Sequence, residues 1–488
     1  MKINYLILLI SSIFATEYWN EITSSTPVAY QKEIIDFKDG NTTVKFTMDG
    51  FYQIPVNNDG ETEYIIKTIN GASLLEEGSP DLQKYSASLV IPDDQEMNVQ
   101  VDDVSYIDFN NISIAPSKGN ISRSTNPNLI SFEKNDIYMS NDFFPGKLVD
   151  LNDPYILRDF RGQAVNVYPF QYNPISKTLR VYTEITVTVF SNGQSEMNVI
   201  NRSQEISTID KDYQTVYTSH FDNFEQTQTR FEYLNEVGNL LIISYGGFMD
   251  AMQPFVDWKN KKGIPTEIID VASIGSNSTA IETYVDDYYH NEGLTFLLLV
   301  GDIAQIPSPS ISGSKSDPSY GFIDGNDYYS EIIVGRFSAN TPSDVSTQVD
   351  RTIEYESYPT DGNWYTAAGS FGSNQGPGWG GLTDDQFLET VIWPLLDNYT
   401  YNQHTGIYDP NSSVSSGINA INDGLSIINY TGHGYQDGWG NGAPLSSSDV
   451  NGLVNFLLSE ESKYINGQNI IIDAGLGNMY PDQIVDII

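Results

Sequence analysis

Not one of the 488 residues of this chain is cysteine. That absence removes disulfide bridges, thiolate zinc sites and any thiol nucleophile from these residues. Basic residues are scarce too, with 24 Lys and Arg facing 64 Asp and Glu for a net charge of −40. So acidic a surface repels phosphate backbones, which excludes a general nucleic-acid binder. Histidine occurs at four positions only, His220, His290, His404 and His433. The zinc-peptidase pattern H-E-x-x-H and the serine-hydrolase elbow G-x-S-x-G are both missing. Beyond the first fifteen residues no apolar run approaches the length of a bilayer span. What remains is an ordinary globular makeup, 39% hydrophobic with 39 glycines. Disorder over most of the length is excluded by that composition.

The first fifteen residues, Met1 to Ala15, read as a secretory signal. Lys2 supplies a positive start, Ile3 to Phe14 is largely apolar, and Ala15 is the candidate cleavage position. An apolar run of about a dozen residues is too short to cross a bilayer. The expectation is a mature protein outside the cytoplasm, with no membrane span once the signal is removed.

Periodicity then divides the chain. Residues 16–209 are expected to be β-rich and sandwich-like. In the clearest strand, Thr178 to Phe190, Leu179, Val181, Ile185, Val187 and Val189 recur at period two. Residues 210–238 are polar without a clear period and read as a linker. From Asn239 onward short apolar runs alternate with helical patterns. Strands are predicted over 240–244, 266–271, 296–300, 331–334 and 425–430; helices over 248–262, 278–291, 343–356, 384–396 and 414–423. That alternation predicts an α/β region with a mainly parallel sheet covered by helices on both faces. Sites in such sheets form beyond the carboxyl ends of the strands.

His433 stands out among the histidines. It follows the buried-type strand 425–430 inside Thr431-Gly-His-Gly434. The strand thus delivers an imidazole to the sheet's carboxyl edge, and Gly434 offers a backbone N–H to a ligand oxygen. The other three histidines lie in linker, helix-end and loop contexts and are assigned no task.

Several blocks resemble the gingipain-type secreted cysteine peptidases. They are "FVDWKNKKGIPTEI" (255–268), "LLLVGDIAQIP" (297–307), "GNDYYSEIIVGRFSA" (325–339), "TQVDRTIEYE" (347–356) and "NYTGHG" (429–434). Upstream, "DPYILRDFRGQAVNVYPFQYNPISKTLRVY" (153–182) is similar to the family's pro-domain. The resemblance implies a caspase-like three-layer catalytic domain over 239–488, endopeptidase activity on protein or peptide substrates, and synthesis as an inactive precursor. It implies that His433 is the general acid/base and that the Gly434 N–H is an oxyanion donor. Catalysis in this family needs no cofactor. The family's acid that orients the histidine maps to Gln375, whose amide can hold the ring but cannot stabilise imidazolium as a carboxylate does.

The nucleophile departs from the pattern. Where the family has Ala-Cys after a buried strand, this chain reads Ile470-Ile-Ile-Asp-Ala-Gly-Leu-Gly-Asn-Met479. The cysteine maps near Gly475 or Leu476, and neither is nucleophilic. Three readings stay open: a catalytic domain incomplete or frame-shifted at its C-terminal end, a silent pseudopeptidase that binds peptides, or another nucleophile. The serines at 446–448, 459 and 462 lie in polar loop-like sequence, which ranks the third reading last.

Specificity rests on Asp384 in "GLTDDQF" (381–387), which by resemblance sits at the base of a pocket for Arg or Lys. The same acid also reads as a first-turn carboxylate after a Thr383 cap, and both readings stay open. Arg230, inside the linker, is the candidate processing site. Asp317, Asp324 and Asp327 cluster near Gly321 and Gly325, an oxygen-rich loop of the kind that suits a structural Ca²⁺, although solvated turns look the same.

Overall fold

The computed structural model describes residues 18–445 apart from 122–124, 126–128, 203–205, 207, 228–231, 235–237, 312, 358–362, 377–381, 433 and 436–437. The signal at 1–15, the candidate processing residue Arg230, the imidazole of His433 and the block at 470–479 therefore lie outside the described residues.

The first region is a β-sandwich. The long strand Thr178–Gln194 pairs antiparallel with Asn41–Thr47 and with Gln95–Asn110. The facing sheet is centred on Gln83–Ile91 and Phe160–Val167. Period-two alternation sends Leu179, Val181, Ile185, Val187 and Val189 to one face, and all five are buried, as the sequence pattern requires. They meet Tyr85, Leu89, Val165 and Val167 from the opposite sheet in one core. Each such side chain contributes about 1.5–3 kcal/mol when fully buried. The hairpin Gly50–Asn58 to Glu61–Lys67 turns on Asp59 (φ 51°) and Gly60 (φ 89°). Both central residues of a two-residue hairpin turn need positive φ, which Asp-Gly supplies at low cost.

The stretch expected as a linker holds helices Lys211–His220 and Phe224–Thr227, and the strand Thr208–Asp210 leads into it. Tyr213, Tyr217, Phe221 and Phe224 are buried in one cluster with Tyr155 and Phe160 of the sandwich. Aromatic residues spaced four apart (213, 217, 221) mark one helical face. The polar residues between them hide that period in a composition average.

The second region contains two parallel sheets. One has the strand order Thr266–Asp270, Leu240–Ser244, Phe296–Val300, Ile333–Phe337. Its central strands are apolar at every position except Ser244 because both faces are covered. Leu240, Ile242, Leu298 and Val300 pack on one side with helices Met249–Lys261 and Pro342–Ser357. Leu241, Ile243, Leu297 and Leu299 pack on the other with helix Ser278–Glu292. This is the three-layer arrangement predicted. Gly263 (φ 86°) ends the first helix in the left-handed conformation that favours glycine.

The other sheet runs Gln403–Tyr408, Ala367–Gly372, Ile427–Thr431. Its first two strands carry too many Gly, Ala and polar residues to stand out by propensity. The strand expected over 331–334 begins at Ile333 and that over 425–430 at Ile427. Leu425 is buried ahead of its strand and packs beside Phe371. Among the described residues no helix is long and apolar enough to cross a membrane.

Candidate active site

The central strand of the second sheet, Ala367–Gly372, ends in a turn that binds two predicted site residues together. Ser373 Oγ donates to Asp384 Oδ2 at 2.6 Å and accepts from the Gln375 N–H at 2.9 Å. Asp384 N–H donates to the Gln375 carbonyl at 2.9 Å, and Asp385 N–H to that of Ser373 at 3.0 Å. Asp384 is only 3% exposed and Ser373 is fully buried. A buried carboxylate needs charge-compatible partners, so this turn holds an acid at the sheet's carboxyl edge at a cost in desolvation.

Asp384 also opens a helical run over 384–397, interrupted by one π turn at Leu388–Ile392. The cap expected there exists: Gln386 Oε1 accepts from the Thr383 N–H at 3.1 Å. The cap is made by its neighbours, and the burial of Asp384 is not accounted for by capping. A solvated first-turn acid would be exposed.

The adjoining strand Ile427–Thr431 runs parallel to the first, with Thr431 opposite Gly372. A Cβ on Gly372 would lie 3.8 Å from Asp384 Cβ and 3.3 Å from the Thr431 carbonyl. Asp384 is therefore close to the strand end from which Gly432 and His433 follow. Gly434 pairs with Trp439 in a short hairpin, Gly434–Tyr435 with Gly438–Trp439. Trp439 stacks on Tyr430 at 4.7 Å, and the Tyr430 hydroxyl accepts from the Gly440 and Asn441 N–H groups at 3.2 and 3.3 Å. Gly442 (φ 54°) then crosses the strand ends, where a Cβ would come within 2.4 Å of both Gly372 N and Ile407 O. Only glycine fits there.

The remaining expectations sort cleanly. His220 is buried with its Nε2 2.7 Å from the Tyr155 hydroxyl, and His404 stacks on Trp393 beside Asp397. His290 lies between Asp286 and Asp324. The three acids of the candidate calcium loop do not converge. Arg336 forks onto both oxygens of Asp317, His290 meets Asp324, and Asp327 accepts from the Ile156 and Tyr329 N–H groups. Among the described residues no group of three or more His, Asp or Glu side chains is arranged to hold a metal ion. Sequence reasoning missed Ser373, since a serine eleven residues before an acid carries no pattern.

Matches to known proteins cover most of the chain. Residues 33–231 match the family model of the C25 propeptide, and residues 233–459 match that of peptidase family C25. Gingipain R2 of Porphyromonas gingivalis is 38% identical over 416 residues, 84% of this chain and 56% of that protein. Gingipain R1 of the same organism is 38% identical over 405 residues, 82% of this chain and 40% of that protein. The chain thus spans about half the length, or less, of these curated relatives. Among solved structures, the Arg-specific cysteine proteinase gingipain R is 36% identical, covering 47% of this chain and 53% of its own at a TM-score of 0.43. A complex of Porphyromonas gingivalis RgpB pro- and mature domains is 35% identical, covering 40% of this chain and 97% of its own at a TM-score of 0.38. The two family models together run from residue 33 to residue 459, and on that match the chain belongs to peptidase family C25, with the family's propeptide ahead of its peptidase domain.

Proposed function

We propose that this chain is the exported precursor form of a gingipain-like cysteine peptidase whose cleft, at the carboxyl edge of the second sheet, recognises a basic residue through Asp384. The observation that carries this reading is the burial of Asp384, a carboxylate held by Ser373 beside the strand end that leads to His433. A carboxylate shielded from water forms a stronger charge-assisted pair with a guanidinium or ammonium than an exposed one. A preference for a basic residue fits the gingipain relatives. In this scheme His433 protonates the leaving amine, the Gly434 N–H faces the oxyanion, and Gln375 holds the imidazole. The signal at 1–15 directs export, and Arg230 is the point of processing.

The 488 residues contain no thiol to complete that chemistry. The second reading, favoured by this one observation, is a silent module that binds peptides in the same cleft and releases them uncut. Calorimetric titration tests the shared core of both readings, using two peptides that differ only in Arg against Gln at the central position. The arginine peptide should bind more tightly, on the order of 10-fold or more, and D384N should abolish the difference. Equal affinities would remove Asp384 from recognition.

A further inference from the structure

One heavily engaged cation of the propeptide lies nowhere near the candidate cleft. Arg158 sits in the tight turn between strands Tyr155–Leu157 and Phe160–Val167, with φ 48°. Its Nη1 donates to the carbonyls of Leu294 and Glu331, both at 2.7 Å. Its Nη2 donates to Asp210 Oδ2 at 2.8 Å and approaches Thr295 Oγ1 at 3.4 Å. The guanidinium lies over the rings of Tyr213, at 4.6 Å, and Tyr289, at 5.6 Å. Two carbonyls, a carboxylate and two aromatic faces match what a planar, five-donor cation requires.

Most of that receptor belongs to the peptidase domain. Leu294 and Thr295 immediately precede the strand Phe296–Val300, and Glu331 precedes Ile333–Phe337. Ile333 N–H donates to the Thr295 carbonyl at 2.9 Å, which ties the two strand starts together. The notch is therefore at the amino edge of the first sheet. The candidate cleft is at the carboxyl edge of the second, and the two share no residue. Neighbouring contacts extend the same face: Ile156 N–H donates to Asp327 Oδ2 at 2.9 Å, Asn198 Nδ2 to the same oxygen at 3.2 Å, and Tyr155 stacks on Tyr329 at 4.0 Å.

We propose that the notch formed by Leu294, Thr295, Glu331 and Tyr289 is a guanidinium receptor that seats the propeptide through Arg158, and that it keeps the propeptide bound after the backbone between the two domains is cut. Retention of the propeptide is thereby separated from occupation of the cleft. The proposal rests on the domain assignment alone and makes no use of peptidase activity.

The test uses the full chain with residues 228–231 exchanged for the recognition sequence of a site-specific protease. After cutting, the two fragments of the parent should co-elute in gel filtration and appear as one mass in native mass spectrometry. R158A should weaken their association on the order of 100-fold, because a buried, multiply bonded charge is lost and its partners are stranded. R158K keeps the charge but cannot span both carbonyls and Asp210, so it should fall between the two. R180A, which removes an ion pair with Asp108 within the propeptide, should change nothing. Should R158A fail to fold before cutting, R158K decides. Fragments of R158A or R158K that stay together as firmly as those of the parent overturn the proposal, as does separation of the parent fragments on cutting.

Discussion

Ser373 and Asp384, eleven positions apart, meet at 2.6 Å with both side chains out of reach of water. Ser373 lies just past the end of a parallel strand and Asp384 at the first turn of the next helix. Their contact turns a loop into a fixed shelf at the carboxyl edge, the place where parallel sheets build sites.

Removing the serine hydroxyl should loosen that shelf. S373A takes a donor from a buried carboxylate and is expected to cost about 1–3 kcal/mol of folding stability. Urea unfolding measures it. A loss below a few tenths of a kcal/mol would mean that water or another donor takes over at once.

The chain as it stands should be hydrolytically silent. Purified protein, before and after separation of the propeptide, is expected to release no product from fluorogenic Arg- or Lys-linked substrates. Turnover above background that disappears in H433A would refute this and point to an oxygen nucleophile.

Arg161 is almost fully buried yet meets no carboxylate in its hydrogen bonds. Its guanidinium donates to the carbonyls of Pro92, Gln95, Asn198 and Met197 and to Ser195 Oγ. R161A strands four carbonyl groups and opens a void, with an expected loss of about 3–5 kcal/mol. R161K should not restore it, since one ammonium cannot reach the same set. Thermal unfolding of the two variants beside the parent checks both statements.

Two buried groups give opposite pH dependence. Burial pushes the Glu331 carboxyl up to about 8, against the Ile323, Asp324 and Arg158 N–H groups that favour its ionised form. The folded state then holds a proton that the unfolded chain releases near 4.5, so this contribution is full below 4.5 and is lost as pH rises through about 8. Burial drives His220 down to about 4, so its contribution is full above 6.5 and is lost as pH falls through about 4. Stability measured by urea unfolding from pH 4 to 9 should fall at both ends. E331Q should flatten the alkaline limb and H220Q the acid limb, each leaving the other in place.

Much of the fold was legible from residue order. The strand Phe296–Val300 and the helix Ser278–Glu292 fall where the apolar run and the helical pattern place them. Asn277 Oδ1 accepts from the Ala280 N–H at 3.0 Å, a local interaction that needs nothing distant. The strands Ala367–Gly372 and Gln403–Tyr408 were not legible. Gly369 and Gly372 are there because a Cβ would collide with Leu425 and Leu388, which belong to other elements, whereas Gly406 makes room for Tyr408 two residues on. The candidate calcium loop shows the same limit: that Arg336 stands beside Asp317 could not be read from residue order.

By itself, residue order determined the β-rich first half, the alternating second half, the family and the absence of a thiol. These depend on periodicity, on contiguous motifs and on composition, all of which are local or additive. Tertiary structure alone decided that Asp384 is buried on Ser373, that Arg158 reaches from the propeptide to the amino edge of the peptidase sheet, and that the supposed linker packs as an aromatic helix. Each of these joins residues far apart in sequence. Their energies come from desolvation and geometry that exist only once the chain has closed upon itself.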